Sequence, residues 1–276
     1  MQSLRPGRVV VHVALILYTL LAIFPIVLVL MNSFKSRAAI FAAPLKPPLP
    51  GTFSLIGYHS VLGKANFGLY FVNSITVTVA SLLFVLLFGA MASWALTEYR
   101  VRGNTLLGLY LAVGIMVPIR LGTVAILKLI VALGLANNLI ALILVYVATG
   151  LPLSIFILSE FIQQIPREMR DAARIDGAGE YRIFWSVILP LIRPAVATVA
   201  VFTMVPIWND LWFPLILTPG QHTQTVTLGA QQFIGQYVTD WNSVLSALSL
   251  ALGPIVVLYI IFSRSLVRGI TSGAVK

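Results

Sequence analysis

Residues Pro166–Pro194 read PREMRDAARIDGAGEYRIFWSVILPLIRP, and this stretch decides how the rest of the chain is understood. It sets Arg167, Glu168, Arg170, Asp171, Arg174, Asp176, Glu180, Arg182 and Arg193 into a chain that is 59% hydrophobic and only 9% charged. Pro166 suits the start of a helix, and Arg167–Asp171 and Asp171–Arg174 have the spacing of side-chain pairs on one helix surface. Met169, Ala172, Ala173 and Asp176 fall on one face, where two alanines keep the profile low enough for another protein to approach closely. Gly177 ends that helix with access to positive φ, and Tyr181–Leu189 opens a second one. The expected element is an elbow of two short helices on a membrane surface. A charge run is also what an ordinary solvated cytoplasmic loop contains, so composition alone leaves both readings open.

The remainder of the sequence is a membrane protein's. Mean hydropathy is +0.99, and soluble domains carry roughly a quarter charged residues. Six runs meet the requirement of about 20 helical residues per crossing: Val9–Met31, Leu69–Thr97, Thr105–Leu135, Asn138–Ile162, Leu191–Leu217 and Ser243–Ser263. The third is long, and Pro118 with Gly122 predicts a kink within it. The first run is too long for a signal peptide's apolar region and no small-residue cleavage site follows it, so it is expected to stay as a span. Six crossings put both termini on one side. Twelve Lys and Arg then fall on that side and four on the other, with Arg120 and Lys128 inside the third span. The excess predicts cytoplasmic termini and a cytoplasmic elbow.

Between the spans, Asn32–Gly68 carries Pro44, Pro47, Pro48 and Pro50 and reads as extended and outside, with no folded domain of its own. A second outer loop, Thr218–Trp241, is rich in Gln, Thr and Gly. The net charge of +10 does not form a basic face, which argues against nucleic acid. There is no cysteine, which excludes thiolate chemistry and disulfides. His12, His59 and His222 are scattered, and neither a catalytic grouping nor a metal-ligand pattern stands out. The one Gly-Lys, Gly63-Lys64, lacks the rest of a phosphate-cradling loop. No catalytic residue, metal or cofactor is expected on this chain.

Asp171-Ala-Ala-x-x-x-Gly177-Ala178, continuing through Phe184 to Ile188-x-Pro190, resembles the EAA signature of ABC-importer permeases. The tail Val267-Arg-Gly-Ile-Thr-Ser-Gly-Ala-Val-Lys276, together with Asn73-Ser74 and Ile207-Trp-Asn-Asp210, makes the chain similar to the carbohydrate-uptake, maltose-type branch over nearly its whole length. Asp171 departs from the usual Glu, keeping the charge on a shorter arm, which leaves its partner undetermined. The resemblance implies an all-α permease with six transmembrane helices in a bacterial inner membrane. Its implied partners are a second related permease, two ATP-binding subunits that hold the ATP and Mg, an extracytoplasmic solute-binding protein and membrane lipid.

Within that resemblance, the segment 164–190 is the coupling segment. Met169, Asp171, Ala172, Ala173, Asp176, Gly177, Ala178, Phe184 and Pro190 are its expected docking residues. Arg268, Gly269, Gly273 and Lys276 would reach between the ATP-binding subunits, the alternative being a frayed terminus. The Thr218–Trp241 loop resembles one that probes the binding protein's sugar site. The polar groups in the spans, Asn73, Arg120, Asn209 and Asp210, are transport-path candidates. Asn209 lies about 24 Å along a helix from Arg193, in the outer half. For Asp210 an ion pair with Arg120 or Lys128 is the competing structural role, and for Asn73 a helix–helix hydrogen bond. A self-sufficient, ion-driven transporter or channel is the main rival; it would need a set of intramembrane acids or broken helices around an ion site, and Asp210 is the one carboxylate well inside a span. An ABC permease for another solute, such as an amino acid or peptide, is the further alternative.

Overall fold

The computed structural model describes residues 6–64, 66–99, 102–234 and 239–274. Among these the chain is helical, and its extended pairings are two isolated antiparallel bridges, Lys35–Phe53 and Ile234–Thr239. Two compact units divide it, Met1–Gly68 with Gly229–Gly253, and Leu69–Leu228 with Pro254–Lys276.

In the first unit, α1 (Pro6–Ser33) leads into two short helices, α2 (Arg37–Ala42) and α3 (Ile56–Lys64). The expectation of a merely extended loop here is overturned, because a buried lysine organises it. Lys35 is 1% exposed. Its ammonium donates to Asn32 Oδ1 at 2.9 Å and to the carbonyls of Ala43 at 2.9 Å and Pro44 at 3.3 Å. Three oxygen acceptors replace the water lost on burial. Phe34 stacks on Phe53 and Tyr58, and the Tyr58 hydroxyl joins Ser33 to Ser249 on the last helix, α14 (Trp241–Ala274). Gly57 lets α3 approach that helix; a Cβ there would lie 2.6 Å from the Asn242 carbonyl carbon.

The second unit contains α4 (Phe67–Glu98) from Leu69 onward. After it come α5 (Asn104–Met116), α6 (Thr123–Ala132), α7 (Leu139–Gln163) and α8 (Arg167–Ile175). The short α9 (Glu180–Ile183) and α10 (Leu189–Leu191) are joined by a π-helical turn, Phe184–Ile188. Then follow α11 (Arg193–Asn209), α12 (Trp212–Leu217) and the start of α13 (Val226–Ala230). Asn104 Nδ2 caps the end of α4 by donating to the carbonyls of Leu96 and Tyr99. Asn138 caps α7, its side chain accepting from Ile140 N.

Among the described residues, three helices are long and apolar enough to cross a membrane, Val9–Ser33, Phe67–Glu98 and Leu139–Gln163. The expected third span is broken more sharply than the sequence predicts, and the expected fifth is not one continuous helix. Asn104–Met116 meets Ile119–Ala132 at 87°. Val117, directly before Pro118, is held extended at ψ 122°, as the proline ring demands of its predecessor. The expected fifth span, Leu191–Leu217, is instead α11 and α12 with an interruption at Asp210 and Leu211, and just at its start Glu180–Leu191 meets Arg193–Asn209 at 75°. Pro194, near the start of α11, cannot donate to the carbonyl of Pro190, so the ladder stops there.

Candidate functional site: a charged elbow and an interhelical cavity

The elbow forms as the sequence predicts, with more internal bracing. At the end of α8, Ala178 N donates to Ala173 O and Gly177 N to Arg174 O, both at 3.0 Å. This is a Schellman cap, with Gly177 at φ +77°. Beneath it, Ile183, Phe184 and Ile188 join Trp94, Leu158 and Ile162 in an apolar core.

That core takes up three of the expected docking residues. Phe184 is 4% exposed and belongs to the chain's own interior. Ala173 is half-buried and packs on the same cluster, as does Ala178. Met169, Asp171, Ala172, Asp176 and Gly177 stay exposed, and Pro190 is partly so. Sequence reasoning missed the apolar side chains beside them: Ile175 at 86% exposure, Tyr181 at 79% and Trp185 at 52%. Their being large apolar groups next to the charged run was the available signal.

Sequence reasoning also missed Glu98, the last residue of α4. Its carboxylate accepts from Arg170 Nη1 at 2.6 Å and from Arg174 Nη2. Arg174 reaches Asp171 at 3.1 Å and, through Nε, Glu180 at 2.9 Å. Asp171 thus finds its partner within its own helix, and the Arg167–Asp171 pair is not among the ion pairs of the described residues. Tyr99 donates its hydroxyl to Glu180 at 3.0 Å, and Arg170 lies over the Trp94 ring, 5.8 Å from its centroid. Hydrogen bonding from Arg174 pulls the Glu180 carboxyl below its ordinary value, with Tyr99 adding to it against the effect of burial.

A second feature is a cavity of about 800 Å³ between α7, α11 and α12, with the Ile119–Gly122 turn on its rim. Arg120, Asn209 and Asp210 all line it, together with Tyr146, Thr149 and Trp212. Asp210 sits where α11 breaks. It accepts from the Tyr146 hydroxyl at 2.8 Å and from Trp212 N and Phe213 N at 3.1 and 3.2 Å, opening α12 as a cap would. The alternative pairing of Asp210 with Arg120 or Lys128 is not made. Arg120 instead lies over the Trp212 ring, 5.8 Å from its centroid.

Asn73 does not line this cavity. It is buried and donates to the carbonyls of His222 and Gln224, both at 2.9 Å. Ser74 accepts from Val226 N at 2.8 Å. The first half of the Thr218–Trp241 loop is therefore pinned to α4, with Gln224 and Thr225 turned inward. At the chain's end, Arg268, Gly269 and Gly273 lie on the backbone of α14, whereas Lys276 falls outside the described residues.

Comparison with known proteins agrees with this architecture. Residues 86–272 match the family described as binding-protein-dependent transport system inner membrane component. The diacetylchitobiose uptake permease NgcG of Streptomyces coelicolor is 33% identical over 267 residues, covering 96% of this chain and 88% of the relative. The melibiose/raffinose/stachyose import permease MelC of Bacillus subtilis is 30% identical over 253 residues, with 91% of each covered. Among solved structures, a chain of a bacterial ABC transporter that imports the acidic polysaccharide alginate superposes with a TM-score of 0.79 at 22% identity. That match covers 96% of this chain and 98% of the other. The chain thus belongs to the binding-protein-dependent transport inner membrane family, as a multi-pass permease component of an ABC transporter in the inner membrane.

Proposed function

We propose that the chain is one of two related permeases in a heteromeric importer that carries a sugar or sugar derivative into the cytoplasm. An extracytoplasmic binding protein delivers the solute. Two ATP-binding subunits, which hold ATP and Mg, drive it from the cytoplasmic side. Six crossings with both termini inside remain part of this reading, supported by the twelve-to-four bias of positive charge.

The observation that carries the reading is the elbow. Its outer surface presents Met169, Ala172, Ile175, Asp176 and Tyr181 to solvent, while its inner surface is locked by ion pairs and an apolar core. A rigid projection with exposed apolar side chains fits a protein partner better than water. The sugar assignment rests on the relatives, whose names specify diacetylchitobiose and melibiose, raffinose or stachyose. The cavity holding Arg120, Asn209 and Asp210 is the candidate path, and Trp212 supplies an aromatic wall. The C-terminal residues Arg268, Gly269, Gly273 and Lys276 keep their proposed place between the ATP-binding subunits.

The test is reconstitution of the complete complex with its binding protein. Sugar-stimulated ATP hydrolysis and uptake are expected, and both should be lost in Gly177→Asp while the protein still inserts. Uptake by this chain alone, without nucleotide, would support the ion-driven rival instead.

A further inference from the structure

We infer that Glu98 is the positioning residue through which the elbow grips α4, so that α4 moves with the elbow as one body. This rests on the docking reading above and adds a route for the force. The covalent route from the elbow runs into α11, but it passes a π turn at Phe184–Ile188 and then a 75° break at Ile192. A π turn and a proline-interrupted joint both break the regular hydrogen-bond ladder of a helix and change its direction. The route through Glu98 has no such joint.

Both carboxylate oxygens of Glu98 are engaged, one by Arg170 and the other by Arg174. The Glu98 side chain is 13% exposed and that of Arg170 is 6%, so the contact is largely shielded from water, where charge-assisted hydrogen bonds are strongest. Arg174 spreads the grip to both arms of the elbow, holding Asp171 on α8 and Glu180 on α9. Tyr99, next to Glu98 in sequence, holds Glu180 as well. Trp94, one helical turn before Glu98, lies under the Arg170 guanidinium. Three side chains of the elbow, Arg170, Arg174 and Glu180, are thereby tied to the end of α4 or the adjoining Tyr99, and α4 is the 32-residue helix that carries the motion onward.

The experiment uses the full complex with its binding protein. Glu98→Gln keeps the shape of the side chain and removes its charge. Assembly with the ATP-binding subunits and their hydrolysis rate should stay within about twofold, while sugar taken up per ATP hydrolysed should fall about tenfold. Because the chain has no cysteine, a Glu98→Cys, Arg170→Cys variant can be bridged by a short, reducible thiol cross-linker. Bridging should restore uptake per ATP, and reduction should abolish it again, an effect that a purely folding role would not produce. Unchanged uptake per ATP in Glu98→Gln would overturn the inference. If that variant does not accumulate, equal uptake per ATP in the bridged and reduced double variant would overturn it. Failure of the docking reading has a separate signature: Gly177→Asp would then retain its ATP-binding subunits and its coupling.

Discussion

Gly177 adopts φ +77° with open space where a side chain would project. Its role is therefore backbone freedom, not clearance. Gly177→Ala should cost about 1–2 kcal/mol of elbow stability, read as a lowered melting temperature in detergent with the complex still assembled. Gly177→Asp adds a charge beside exposed Asp176 and should impair docking more than Ala does. Glu98→Ala is harsher, since it strands buried Arg170; removing one partner of a buried pair costs about 3–5 kcal/mol. Glu180 sets the pH dependence. Its folded-state pKa is lowered from 4.5, chiefly by the Arg174 hydrogen bond, so the folded elbow favours the charged carboxylate. That contribution is present above the unfolded value and is lost as pH falls through the lower folded value. Melting temperature should therefore drop in acid below about pH 4.5, and less so in Glu180→Gln. Gly177 was readable in advance because a glycine after a capped, charged helix has a specific backbone use. Glu98 was not, because one acid at a helix end reads as solvated until the chain brings two arginines 72 and 76 residues later against it.

For the elements, close approach and interruption do most of the positioning. Gly89 faces Ser154 across α4 and α7, where a Cβ would come within 2.9 Å of the Ser154 Cβ. Gly150 faces Val85 and Thr203, where a Cβ would lie 2.9 Å from Val85 Cγ2 and 3.4 Å from Thr203 Cγ2. Small residues are what let membrane helices meet this closely. Gly150→Leu should force α4, α7 and α11 apart, measured as reduced folded yield in the membrane. Asp210 does at the α11–α12 break what a helix cap does elsewhere. Asp210→Asn should keep the fold and most uptake, whereas Asp210→Ala should lose about 1 kcal/mol of capping and slow transport. The prolines marked these breaks in the sequence, but not their angles. A kink and an 87° turn share the same Pro118, and the difference lies in which neighbours then bury α6, with Ile130 3% exposed beside Leu142 and Val145. The outer loop was misjudged for a related reason. Four prolines signal extension, while the order comes from Lys35 burying itself among carbonyls, a long-range outcome that composition does not encode.

At the scale of the whole molecule, the apolar composition, the three continuous spanning helices among the described residues and the family pattern were legible from hydropathy and the Asp171–Pro190 spacing. The division of the elbow into an outer face and a braced inner face was not, since Phe184 and Ala173 look as available as Ala172 until their neighbours arrive. In the proposed function, a braced cytoplasmic elbow receives a separate motor on Met169, Ala172, Ile175 and Asp176. The most direct measurement places a photoactivatable thiol probe on Ala172→Cys, in a chain otherwise free of cysteine, and follows its cross-linking through the ATP cycle of the assembled complex. Cross-links to the ATP-binding subunit in every nucleotide state are predicted. A probe that stays reactive to water-soluble thiol reagents throughout the cycle, with no cross-link formed, would contradict the account.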